Sequence, residues 1–165
     1  MSYSVGIIII SDRASRGERE DGCLPVFKET LDNRFEISES AIISDDPKNI
    51  NTALQDFISK GYSLIFTSGG TGCAPRDNTP EVTKKIIERF TPGVDEAIRT
   101  FSTTKSAYAI YSRAVSGIAK NSFIVNLPGS PKAVKEIVAF LLPTIEHPLR
   151  LVANLVKDCQ KELNQ

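Results

Sequence analysis

An apolar run, Leu64-Ile65-Phe66, passes through Thr67-Ser68 into the turn Gly69-Gly70-Thr71-Gly72, and Thr79-Pro80-Glu81 follows shortly after. This order constrains the fold more than any other feature of the chain. The run reads as a buried strand. The glycines admit positive φ and let backbone N–H groups converge on an anion. Thr79 is expected to cap a helix, with Pro80 at its first position and Glu81 favourable to the helix dipole. Strand, glycine turn and helix N-terminus in sequence is how open α/β sheets hold phosphates. A glycine turn alone is common and serves equally as a plain connector. The carboxylate of Asp77, placed between turn and helix, adds the ligand type that Mg²⁺ takes beside phosphate oxygens. The stretch is not a P-loop: Gly-x-x-x-x-Gly-Lys-Ser/Thr is absent.

The same polar-residue-plus-proline form recurs at Asp46-Pro47 and Ser130-Pro131. Behind Asp46, residues Ile50, Ala53, Leu54, Phe57 and Ile58 fall on one helical face, which Gly61 closes. Behind Ser130, Ala133, Val134, Ile137, Val138 and Leu141 do the same until Pro143. Residues 5–10 read as a strand buried on both faces, and 35–43 as a second strand. A helix is expected from Pro25. The helix after Pro80 is expected to run through Val82, Ile86, Ile87 and Phe90, and another to cover 94–101. Residues 113–118 and 122–126 are predicted to form an antiparallel pair around Ala119-Lys120-Asn121. A last amphipathic helix carries Ile145, Leu149, Leu151, Val152, Leu155 and Val156. The fold class expected is α/β: a single doubly wound three-layer domain over residues 1–165 with a mostly parallel sheet. Right-handed crossovers would bring the three junctions to one sheet edge. The loop Ser11-Asp12-Arg13 leaves the first strand at that edge, as a ligand loop or a solvated one.

Composition excludes several classes. Lys and Arg total 20 against 20 Asp and Glu, which gives no basic excess for nucleic acid or anionic membranes. The three cysteines form no CxxC pair and His147 is the only histidine, which argues against structural zinc. No apolar run reaches the roughly 18 residues of a membrane span, and no signal pattern opens the chain, so a cytoplasmic protein is expected. With no Ser-His-Asp set, the turn and two carboxylates favour phosphoryl or nucleotidyl transfer over acyl transfer. A substrate phosphate then serves as nucleophile. Arg76, Arg113 and Lys132 are either solvated or placed to offset developing charge. Cys73 has no histidine partner and reads as a small loop residue.

Thr67-Ser68-Gly69-Gly70-Thr71-Gly72, Pro75-Arg76-Asp77-x-Thr79-Pro80-Glu81, Ser112-Arg113-x-x-x-Gly117 and Leu127-Pro128-Gly129-Ser130-Pro131 together resemble the molybdenum-cofactor biosynthesis family. The likeness is to its molybdopterin adenylyltransferase branch, including gephyrin and plant G domains, over nearly the whole chain. The resemblance implies Mg²⁺-dependent transfer of AMP from ATP to the terminal phosphate of molybdopterin, a homotrimer, and a downstream molybdate-insertion protein as possible partner. It implies Asp77 and Asp45 as catalytic and metal-binding acids, with Asp46 the neighbouring choice for the second. Thr67, Ser68, Gly69, Gly70, Thr71 and Gly72 are implied on the nucleotide side. Ser11, Asp12, Ser112, Arg113, Pro128, Gly129 and Ser130 are implied on the substrate side. Two departures from the family pattern are Asp21-Gly22-Cys23-Leu24-Pro25, without Ser-Gly-Pro, and Asn78 in place of a small apolar residue. The alternative is a nucleotide- or pterin-binding relative of the same fold with little or no turnover. A flavodoxin-like binder of a phosphorylated cofactor and a scaffold are more distant readings.

Overall fold

The computed structural model describes residues 2–154. Strands β1 (Tyr3–Ile10), β2 (Phe35–Ile43), β3 (Leu64–Ser68), β4 (Arg89–Phe90), β5 (Ser116–Ala119) and β6 (Ser122–Leu127) form one sheet in the order β2-β1-β3-β6-β5-β4. The first four in that order are parallel, and β5 runs antiparallel to both β6 and β4. This is the doubly wound, mostly parallel sheet expected from the strand-and-helix alternation.

Strand parity explains why both faces are covered. Val5, Ile7 and Ile9 point to one side with Phe66, Phe123, Val125 and Leu127, where they meet Phe27, Val134, Ile137 and Val138. Ile8, Ile10, Ile65 and Ile124 point to the other, against Ile50, Leu54, Phe57 and Val82. The first layer is built by α2 (Cys23–Thr30), α5 (Pro92–Thr103), α6 (Pro131–Leu141) and α7 (Glu146–Val152), the second by α3 (Pro47–Ser59) and α4 (Thr79–Ile86). Burial of each such large apolar side chain stabilises the fold by about 1.5–3 kcal/mol. Phe27 and Phe66 meet across the first interface with ring centroids 5.4 Å apart.

Local chemistry sets the helix ends. The Asp46 carboxylate accepts from the Lys48 N–H at 2.8 Å, and Gly61 leaves α3 with φ +75°. Ser130 accepts from the Ala133 N–H at 3.4 Å and starts α6. At α2 the departure in sequence has a plain role: the Asp21 carboxylate takes the N–H groups of Cys23 and Leu24 at 2.9 and 2.7 Å.

Several expectations need correction. Thr79 does not cap α4. It lies inside the helix, fully buried, and its hydroxyl donates to the Gly69 carbonyl at 2.9 Å, while Asn78 holds the cap position without a side-chain bond. The helix also stops at Ile86 and does not reach Phe90. Ile87 turns extended, the Glu88 N–H reaches the Ile118 carbonyl at 2.9 Å, and Arg89-Phe90 joins β5. Gly117 permits this, because a Cβ there would lie 2.5 Å from both the Arg89 carbonyl oxygen and the Ile87 side chain. A short helix α1 (Asp12–Ser15) occupies the loop after β1, and a 3-10 segment, Ala107–Tyr111, follows α5. Leu155, Val156 and Cys159 lie outside the described residues.

Candidate active site

The parallel strands bring the loops after β1, β2, β3 and β6 to one edge. There the glycine turn is fixed from below. Gly69 (φ +115°) packs on the Ile10 carbonyl, where any side chain would collide. Its N–H donates to the Leu127 carbonyl at 3.0 Å, and a Cβ on Gly129 would stand only 3.4 Å from its Cα. Gly70 (φ +64°) packs on Thr79, whose N–H donates to the Gly70 carbonyl at 3.1 Å. No hydrogen bond among the described residues takes the N–H of Gly70, Thr71 or Gly72. A turn of unengaged N–H groups at a sheet edge is an anion cradle.

Three carboxylates border it. Asp45 and Asp12 clasp each other's backbone: the Asp12 N–H donates to Asp45 Oδ2 at 2.7 Å, and the Asp45 N–H to Asp12 Oδ1 at 3.0 Å. The remaining Asp45 oxygen, Oδ1, faces Gly70, 3.5 Å from where its Cβ would be. Burial pushes the Asp45 carboxyl above its ordinary value. The Arg76 guanidinium, at 2.5 and 2.9 Å, holds Asp12 below the usual carboxylate range. Asp77 takes the Ala74 N–H at 2.8 Å, and a Cβ on Gly72 would lie 2.9 Å from its Oδ2. Asp46 is turned away as the cap of α3, which leaves Asp45 as the acid at the turn.

A cleft of about 580 Å³ opens from this cradle between α5 and α6. Gly70, Thr71, Gly72 and Asp77 form one end, and Ser112, Pro128, Gly129 and Ser130 also line it. Lys132 stands on the α6 wall and Arg99 on the α5 wall, the latter donating to the Ser112 carbonyl at 2.6 Å. Cys23, buried against the Gly129 carbonyl, ties α2 to this loop.

Other residues singled out from the sequence are engaged elsewhere. Thr67 and Ser68 are buried. Asn126 Nδ2 donates to Thr67 Oγ1 at 2.8 Å, and Ser68 Oγ donates to the Pro128 carbonyl at 3.0 Å, so both bind β3 to β6. Ser11 caps α1. Arg113 is partly exposed but fully engaged, and it does not line the cleft. Its Nε donates to the Gly72 carbonyl at 2.6 Å, its Nη2 to the Asp77 carbonyl at 2.5 Å, and its Nη1 pairs with Glu81. It braces the loop that carries Asp77. Cys73 is exposed. Sequence reasoning missed Asp95, which lines the cleft from α5 and whose carboxyl burial pushes up to about 6. Its only signal in the sequence was an acid in the first turn of an amphipathic helix.

The donor set fits a magnesium ion that arrives with a nucleotide. Mg²⁺ usually takes one or two carboxylates plus phosphate oxygens, and Asp45 and Asp77 flank the cradle. Among the described residues no group of three or more His, Cys, Asp or Glu could hold a metal unaided.

Residues 6–147 match the family described as a probable molybdopterin binding domain. The molybdopterin adenylyltransferase of Helicobacter pylori is 37% identical, covering 90% of this chain and 86% of that protein. Gephyrin of Dictyostelium discoideum is 31% identical over 97% of this chain, which spans 24% of that relative's length. Two other longer curated relatives are spanned to 46% and 27%. The molybdopterin biosynthesis enzyme MoaB of Thermus thermophilus superposes with a TM-score of 0.87 at 39% identity, covering 92% of this chain and 97% of that one. Matched along most of its length by the family, and to relatives at this level of identity, the chain belongs to the molybdenum-cofactor biosynthesis family of probable molybdopterin binding domains.

Proposed function

We propose that this chain is a molybdopterin adenylyltransferase, a nucleotidyltransferase of molybdenum cofactor biosynthesis. Relatives of that name, 37% and 39% identical over most of the chain, support the reading. The observation that carries the chemistry is the meeting of unengaged turn N–H groups with Asp77 at one end of the cleft, with Asp45 Oδ1 facing Gly70 beside it. In this reading Gly70, Thr71 and Gly72 hold the ATP phosphates. The terminal phosphate of molybdopterin attacks the α-phosphorus of ATP, a new P–O–P bond forms, the bond to the β-phosphate breaks, and pyrophosphate leaves. No protein nucleophile is needed, so the chain contributes position and charge. Asp45 and Asp77 would hold Mg²⁺, which neutralises charge on the phosphates when bound. Arg113 keeps the Asp77 loop in place by bracing its carbonyls. Lys132 and the N-terminus of α6 offer positive potential to a second phosphate.

The homotrimer, the molybdate-insertion partner and a cytoplasmic location belong to the same proposal. Cys23 and Cys73 are free thiols, which suits a reducing compartment, and no described helix is long and apolar enough to cross a membrane.

Purified protein mixed with molybdopterin, ATP and Mg²⁺ should form adenylylated molybdopterin and an equal amount of pyrophosphate. Asp77→Asn should lower the rate by about 100-fold or more while ATP still binds. Binding of both ligands by the wild type without any product would favour the non-catalytic relative instead.

A further inference from the structure

The wall of the cleft remote from the glycine turn carries an acid that the phosphate chemistry does not use. Asp95 stands in the first turn of α5, and Ile98, Ala114 and Ile137 line the same cleft. Ser116, fully buried at the start of β5, lies beside the carboxylate and favours its ionised form against the larger cost of burial. Ser116 is itself fixed by Thr91, hydroxyl to hydroxyl at 2.7 Å. A carboxylate offers about four acceptor sites, so capacity remains on the cleft side. Arg99, the cation whose charge acts on Asp95, donates to the Ser112 carbonyl.

The position is as informative as the chemistry. The glycine turn follows β3, and β5 lies two strands away across β6. Two inter-strand spacings are roughly 10 Å, the scale of a fused heterocycle with one phosphate arm. A substrate that seats its phosphate near the cradle therefore lays its ring system toward Asp95. The exposed rings of Tyr108 and Tyr111 stand along the same cleft and offer flat apolar surface.

We propose that Asp95 determines substrate specificity by reading the edge of the pterin, its carboxylate accepting the ring N3–H and the 2-amino N–H side by side. The inference rests on the adenylyltransferase reading and names the group that recognises the heterocycle there. Paired N–H donors on a planar ring match a carboxylate as a guanidinium does. Burial that holds this carboxyl up to about 6 still leaves it ionised at neutral pH, as the pairing requires.

The test uses two probes that differ only at that edge: pterin, with the 2-amino group, and lumazine, with a carbonyl in its place. Fluorescence titration of the full chain should show wild type preferring pterin by roughly 10- to 100-fold. Asp95→Ala should abolish the preference by weakening pterin, which loses the acceptor of two donors, more than lumazine, which loses only that of its N3–H. Asp95→Asn, whose amide can donate to the lumazine carbonyl, should narrow or reverse it. A role that is only structural would weaken both probes by the same factor and leave the preference intact, and retained ATP affinity shows that the variants fold. If the wild type transfers AMP yet does not discriminate between the pteridines, including by binding neither, Asp95 loses its assigned role and the adenylyltransferase reading stands. If the wild type neither transfers AMP nor binds pterin, that reading fails and the role of Asp95 fails with it.

Discussion

Asp95 shows how a single residue can be unfavourable for folding where it serves a site. Burial raises its carboxyl from 3.8 to about 6. Between those values the folded chain keeps a proton on Asp95 that the unfolded chain has released. Stability from this group is therefore lost as pH rises through that window, and it stays lost above it. Asp95→Asn removes the penalty. We expect the variant and the wild type to unfold alike near pH 4 and the variant to be more stable at pH 7. The difference should be on the order of 1 kcal/mol once screening by solvent in the open cleft is allowed for. For a chain of this size that is a rise in Tm of about 2–4 °C. Calorimetry at a series of pH values checks it; a gap that does not widen between pH 4 and 6 would mean the acid is not desolvated. The same variant is expected to bind pterin less well, so stability and recognition should move in opposite directions.

Among the elements, α3 carries the sharpest separation of neighbouring roles. Asp46 caps the helix, and Asp45 turns its free oxygen toward Gly70. Asp46→Ala should cost about 1 kcal/mol in urea unfolding and leave the rate of AMP transfer unchanged. Asp45→Asn should lower that rate strongly without loss of the cap. If the two variants exchange these phenotypes, the second acid has been placed one position off. This junction was legible in sequence because a cap and a proline act over a few residues. Thr79-Pro80 has the same local form, yet Thr79 turns inward to hold Gly69, a choice set by the tertiary packing of the glycine turn. The end of α4 was misread for a similar reason. Ile87 and Phe90 continue the helical spacing, and only contact with Gly117, far along the chain, pulls Arg89-Phe90 into the sheet. The parity that buries Thr67 was likewise invisible, since β3 is buried on both faces and no alternation marks them.

At the scale of the whole molecule, the cradle, the acids and the pterin wall are supplied by different segments, and only the assembled sheet brings them together. β3 and β6 hold the turn against the Leu-Pro-Gly loop, and α5 and α6 frame the cleft. A ligand spanning these parts binds the folded chain and not the unfolded one, so it must raise the melting temperature. At 100 times its dissociation constant, MgATP should add about 2.7 kcal/mol, a shift of roughly 5–10 °C for a chain of this length. The increment should depend on the metal, because the N–H cradle meets the phosphates while Asp45 and Asp77 stand beside them as like charges. Without Mg²⁺ those carboxylates repel the triphosphate. Scanning fluorimetry with ATP should therefore show a large shift with Mg²⁺ and a small one with EDTA. Asp77→Asn should shrink the difference between the two conditions by relieving repulsion in one and weakening metal binding in the other. Equal shifts with and without metal would remove the two acids from the nucleotide end of the cleft and leave the turn as a simple anion site.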